Sequence, residues 1–272
     1  MSSINQVFVV IDPTTDRQPA LANAKRIASE GTSLHVYEAI YSTRDNADPE
    51  ALQRVEMARH RAWIDTLVKP IRDKGVGVEV EVEWNQNWRD AIAPAAARSE
   101  SDLIIKAASV HSGAERRFLK TADWTLLRSA HCPVYLIKKD QIEEAVTVLV
   151  ALDIQRSDDL YNTLNARVLE YGSLLAGGAA DSAIHVVNAY AGATKFVYPD
   201  DLAQTTGIEL TNAHSVEGSP DTVIPEVAAE IAADILVIGT AKRDGIKAAV
   251  IGNTAEKILD SVSANILTVT AS

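Results

Sequence analysis

The residues best suited to chemistry lie close together near the end of the chain. Ile238-Gly239-Thr240-Ala241-Lys242 is followed, nine residues on, by Gly252-Asn253-Thr254-Ala255-Glu256. The first glycine ends an apolar run of strand type, and the second opens a segment whose apolar residues Ala255, Ile258, Leu259 and Val262 recur at helical spacing. Asn253 with Glu256 three residues later reads as a capping-box start. A helix beginning just after a glycine turns unpaired N–H groups toward an anion. Glycine suits backbone that must approach a ligand or adopt positive φ. Asp153, at the end of another apolar run, has the chemistry to accept hydrogen bonds from ribose hydroxyls, or, more plainly, to cap the turn that follows it. Together these groups point to a nucleotide.

The elements that must position them are written twice. Ala233-Asp-Ile-Leu-Val-Ile-Gly239 answers Ser101-Asp-Leu-Ile-Ile-Lys-Ala107, and at the same offset Asn265-Ile-Leu-Thr-Val269 answers Pro133-Val-Tyr-Leu-Ile137. A repeat of half the chain length is a statement about fold, and it sets domains at 1–141 and 142–272 with a charged linker at Lys138 to Glu144 between them. Val7-Phe-Val-Val-Ile11 and Val146-Thr-Val-Leu-Val-Ala-Leu152 are continuous apolar runs, the mark of strands covered on both faces. Amphipathic helices are predicted after each, over Pro19 to Glu30 and Asp158 to Ala176, then strands around His35 and His185. Strand, helix, strand in this order implies parallel βαβ units. The first half continues with a long charged helix from Pro49 to Lys74. In the second half the stretch from His185 to Glu217 is shorter by about four turns of helix, so that flank is expected to be loop.

The two copies differ at the glycines. Gly239 faces Ala107 and Gly252 faces Lys120, and Asp12, Val110 and Thr121 complete the first half's set, so the phosphate cradle belongs to the second half. All four tryptophans, Trp63, Trp84, Trp88 and Trp124, lie in the first half, as ordinary core, as the filling of a cleft or as a protein contact.

Composition narrows the function classes. The 272 residues carry a net charge of -11, with a pI near 5.0, which excludes an extended phosphate-backbone partner such as nucleic acid. No apolar run reaches membrane-spanning length. A lone Cys132 and a start without a basic n-region fit a cytoplasmic protein. There is no Walker A lysine, no zinc-type spacing among the six histidines and no nucleophile elbow. His35 and His185 read as equivalent core residues, and Cys132 as a structural thiol.

On the residues Gly239 to Glu256, Asp153 and Ala122-Asp-Trp-Thr-Leu-Leu-Arg128, the chain resembles the tandem universal stress proteins of the UspA superfamily, in particular their UspE-like members. The resemblance implies two tandem Rossmann-like α/β domains of the adenine nucleotide alpha hydrolase-like kind, each a five-stranded parallel sheet of order 3-2-1-4-5 with flanking helices. It implies ATP or AMP, with Mg²⁺ accompanying the phosphates, held by Asp153, Val186, Gly239, Lys242, Gly252, Asn253 and Thr254. In that motif Val186 stands where the adenine ring would lie, Lys242 replaces a glycine and Asn253 replaces a hydroxyl residue. Lys242 reads two ways, as a point charge for phosphate or as a side chain obstructing it. The resemblance further implies that the apolar final strands Val134 to Ile137 and Ile266 to Val269 pair within the chain as an intramolecular pseudo-dimer, able to form a homodimer as well. The expected function is that of a non-catalytic stress-response binding protein, at most a slow ATP hydrolase. The alternatives are an apolar or lipid-like ligand beside Val197, Tyr198 and Leu202, or a scaffold without ligand. The residues name no signalling partner.

Overall fold

The computed structural model describes residues 4–42, 48–88, 90–108, 121–139, 145–156, 158–177, 179–240 and 253–270. It divides into two compact units, Met1–Ala107 with Ser129–Ile137, and Ala108–Arg128 with Lys138–Ser272.

Unit 1 holds β1 (Gln6–Val10), α1 (Pro19–Ile27), β2 (Ser33–Ile40), α2 (Pro49–Arg72), β3 (Gly77–Trp84), α3 (Ile92–Arg98) and β4 (Leu103–Ala107). Its sheet closes with β5 (Val134–Ile137), which follows α4 (Thr121–Ser129) in the chain. All but the last residue of α4 is compact with unit 2. Unit 2 then runs β6 (Thr147–Leu152), α5 (Asp159–Ala176), β7 (Ala183–Tyr190), α6 (Pro199–Thr206), β8 (Ala213–Glu217), α7 (Pro220–Glu230), β9 (Ile235–Thr240), α8 (Asn253–Ser261) and β10 (Asn265–Thr270).

In unit 1 the order is β3-β2-β1-β4-β5 and in unit 2 it is β8-β7-β6-β9-β10, every pair parallel. Numbered within each unit, both sheets read 3-2-1-4-5, as expected. The continuous apolar runs are the central strands: Val7, Phe8 and Val9 of β1, and Val148, Leu149 and Val150 of β6, are fully buried. Each such side chain contributes about 1.5–3 kcal/mol on burial, which is why strands covered on both faces show no polar alternation.

Helix boundaries follow their caps. Asp48 accepts from the Ala51 N–H at 2.9 Å, with Pro49 in the first turn of α2. Asp158 does the same for Tyr161 at 3.0 Å at the start of α5. The stretch expected as bare loop between β7 and β8 instead contains α6, an eight-residue helix flanked by single 3₁₀ turns at Ala193–Lys195 and Leu210–Asn212. Pro199 opens α6 and Gly207, at φ 71°, ends it. α2 has 24 residues in the matching place, so most of that helix is absent from unit 2.

Helix α5 sits unusually close to its sheet, and two glycines make room for it. A Cβ on Gly172 of the helix would lie 2.5 Å from Val150 Cγ2, and one on Gly239 of β9 would lie 2.8 Å from Leu164 Cγ and Cδ2. Neither glycine has positive φ; their use here is close packing.

Candidate functional site

In an open parallel sheet, loops and helix N-termini collect at the carboxyl ends of the strands, where ligands bind. In unit 2 that edge is formed by the ends of β6, β7 and β9. Asp153 is the first residue beyond β6, and the paired amide of Asn165 on α5 clamps it, Nδ2 donating to the Asp153 carbonyl at 2.9 Å and Oδ1 accepting from its N–H at 3.2 Å. The carboxylate is left half-exposed, with Arg156 Nε at 3.5 Å. That guanidinium lies over the Tyr161 ring, 4.4 Å from its centroid. An exposed ion pair of this kind contributes less than about 1 kcal/mol, so the Asp153 carboxylate is free to exchange Arg156 for another donor.

Gly239 lies level with Leu152, because Ala151 of β6 stands opposite Ile238 of β9. The glycine therefore does reach the carboxyl edge, but its missing side chain accommodates Leu164. Close contact with α5 is a use for this glycine that the sequence did not reveal. Asn253 opens α8 among the described residues. Thr254 is exposed on that first turn. Glu256, expected to close a capping box, pairs instead with Arg128 of α4, whose guanidinium also lies 5.8 Å from the Trp124 ring centroid. Lys242 and Gly252 lie outside the described residues, as do Val110 and Lys120 of the first half.

Val186 is fully enclosed opposite Val150, four residues short of the end of β7 and level with a point two residues short of the end of β6. The residue level with the end of β6 is Asn188, opposite Leu152. Asn188 is 0% exposed; its Oδ1 accepts from the Ile154 N–H at 3.4 Å, and its Nδ2 has no hydrogen-bond partner among the described residues. A buried amide without an acceptor costs about 1–3 kcal/mol. Sequence reasoning passed over Asn188, although an amide interrupting the apolar run Ile184-His-Val-Val-Asn-Ala-Tyr190 is a signal of this kind.

Unit 1 shows what normally fills this position. With His35 set against His185, Asn188 answers Glu38, which is also fully buried. Glu38 is satisfied by His60 of α2, whose Nδ1 lies 3.0 and 2.9 Å from the two carboxylate oxygens. Burial pushes the Glu38 carboxyl above its usual range, with Asp12 adding to the push and His60 and Arg59 opposing it. Unit 2 has kept the buried polar position and lost the helix that would serve it.

The histidines are less scattered than their spacing implied. His185 Nδ1 meets His214 Nε2 at 3.0 Å, with the rings stacked at 5.3 Å. Burial holds both imidazoles below the ordinary histidine value, and His214 depresses His185 further. His35 stacks on Phe8 and is 2.7 Å from Glu81 through Nε2. Among the described residues no group of three metal-ligating side chains forms. The tryptophans do not fill one cleft: Trp63 stands edge-on to His60, Trp84 tilts against Tyr41, and Trp88 is exposed.

Among the described residues no helix is long and apolar enough to cross a membrane. The family model of the universal stress proteins matches residues 3–138 and again 145–270. Universal stress protein E of Escherichia coli K12 is 29% identical over 99% of this chain and 95% of its own length, and its homolog in Haemophilus influenzae is 26% identical over 96% of each. A crystal structure of a protein of unknown function from Pseudomonas aeruginosa PAO1 superimposes with a TM-score of 0.81 at 27% identity, covering 99% of this chain and 93% of that one. A universal stress protein from Archaeoglobus fulgidus shares the fold at a TM-score of 0.71 and 16% identity, covering 98% of this chain and 99% of its own. With both halves matched by the same family model, the chain belongs to the universal stress protein family and carries two of its domains in tandem.

Proposed function

We propose that this protein is a cytoplasmic stress-response binding protein whose second unit holds an adenine nucleotide, ATP or AMP, at the carboxyl ends of β6, β7 and β9. The observation that carries this reading is Asn188. Its buried Nδ2 lacks an acceptor at the position where unit 1 has a carboxylate served by a helix, and adenine ring nitrogens are acceptors. Asp153, held only by an exposed arginine, would take the ribose hydroxyls. The first turn of α8, with Asn253 and Thr254, would face the phosphates and their Mg²⁺ together with Lys242 and Gly252. Val186 contributes as buried support for β7 beneath the base.

Titration calorimetry with ATP and AMP tests the reading. Asn188→Leu removes an unsatisfied amide and leaves the fold at least as stable, while weakening nucleotide by about tenfold, the equivalent of ~1.4 kcal/mol. Binding that is indifferent to both Asn188→Leu and Asp153→Ala would refute it. An apolar ligand is the second reading, favoured by an edge-to-face ladder of Tyr190, Phe196 and Tyr198 with centroids 5.3 and 4.8 Å apart. Phe196 and Tyr198 are 42% and 62% exposed, whereas Leu202, expected to line such a pocket, is a fully buried residue of α6 itself. Binding of a fatty acid in place of nucleotide in the same titration would favour that reading.

A further inference from the structure

Unit 1, which has no phosphate cradle in its sequence, contains a cavity of about 380 Å³ walled by Pro13, Thr14, Asp16, Arg59, His60 and Trp63, within the ~300–1,000 Å³ range of small-molecule sites. Behind the His60 wall stands a buried partner. Glu38 is a wholly enclosed carboxylate whose two oxygens both face His60 Nδ1. A carboxylate only accepts, so Nδ1 donates, and in the neutral ring the other nitrogen, Nε2, presents a lone pair. Arg59 Nη2, which can only donate, lies 3.3 Å from that nitrogen, and Glu56 Oε2 lies 3.9 Å from it. The ring is fixed as well, standing at 87° to Trp63 with centroids 6.4 Å apart.

The cavity therefore holds an oriented acceptor, an aromatic wall, and a cationic donor resting loosely on the acceptor. That donor is replaceable. The Arg59 side chain is 68% exposed and its guanidinium is tied to Glu56 as well as to the imidazole. A cation entering from solvent would find the Trp63 ring beside it, the Asp16 carboxylate in the wall and the Glu56 carboxylate 3.9 Å from His60 Nε2. An anion would meet the same carboxylates, and a neutral alcohol would gain the hydrogen bond without the charge.

We propose that this cavity binds a small organic ammonium ion, its N–H donated to His60 Nε2 in place of Arg59 and its apolar body laid against Trp63. The site is in a different unit from the nucleotide reading, and neither depends on the other. Calorimetry with 2-phenylethylamine and its neutral isostere 2-phenylethanol tests it on the full chain. The amine is expected to bind at least about tenfold more tightly than the alcohol, and His60→Gln and Trp63→Ala each to weaken it by about fivefold or more. Arg59→Met, a change at an exposed side chain, removes the competing cation and is expected to tighten the amine by about threefold or more. A merely structural role for the Glu38–His60 pair would not produce that gain, so this variant decides the matter even where His60→Gln fails to fold. Equal affinity for amine and alcohol, the absence of saturable heat with the amine at millimolar concentration, or an Arg59→Met variant that binds no better would overturn the proposal.

Discussion

Replacing Gly239 with alanine would introduce a carbon 2.8 Å from Leu164 Cγ and Cδ2 and 3.1 Å from Cδ1, well inside the ~3.5–4.0 Å at which carbon atoms rest. Leu164 is 3% exposed and belongs to a helix already pressed against β6 through Gly172, so little room exists for it to retreat. Overpacking of this kind costs about 1–3 kcal/mol, which at ~2–4 °C per kcal/mol gives a fall in Tm of about 2–12 °C. Leu164→Ala alone, by leaving a cavity, should cost about 2–5 kcal/mol. In the double variant the new methyl group enters the space vacated by leucine, so the combined loss should be smaller than the two single losses together by about 1–3 kcal/mol, a coupling well above the ~0.5 kcal/mol scatter of independent sites. Urea denaturation of the four proteins, read by circular dichroism, measures that coupling. A role for Gly239 purely in admitting phosphate predicts instead a Gly239→Ala protein as stable as the parent and additive with Leu164→Ala. That result would refute the packing explanation.

Two further outcomes follow from buried groups. Burial, with a contribution from Asp102, pushes the Cys132 thiol up to about 12, leaving about one thiolate in ten thousand at pH 8; iodoacetamide should label the native protein at least ~100-fold more slowly than the urea-unfolded one, and equal rates would contradict the buried placement. Because burial depresses the His185 and His214 imidazoles, the unfolded chain binds protons there before the native one does. Stability is then greatest above the unfolded value of about 6.5 and declines as pH falls toward the folded values. Urea midpoints at neutral and mildly acidic pH should show the decline, and His214→Gln should make it shallower; a slope unchanged by that variant would exclude the pair as its source.

The central strands were legible because burial on both faces leaves nothing but apolar residues to read, and β5 begins and ends where its apolar side chains imply. Less legible was α6, whose eight residues are too few to establish a helical period; its signs were the cap residues Pro199 and Gly207 rather than a stripe. Gly239 was recognisable as special, but a glycine in sequence does not say whether a ligand or a neighbouring helix needs the space it leaves, and the contact with Leu164 of α5 is visible only in the fold. Asn188 was visible as an amide in an apolar strand, but its lack of a partner depends on the missing length of helix above it. The Glu38–His60 pair was not legible at all, because the two residues meet only when α2 folds back over β2.

The outer strand of unit 1 has a consequence for assembly. β3 presents Glu79, Glu81 and Glu83 along one face, balanced from within by His35, Tyr37 and Arg98. Were a second copy to add its own β3 alongside, two rows of carboxylates would stand opposite one another at cross-strand distance, an arrangement that is destabilising at every facing pair. Facing rows of like charge disfavour strand addition at this border, to the extent that His35 and Arg98 leave the carboxylates uncompensated. Raising the salt concentration is the condition under which the border would become more permissive.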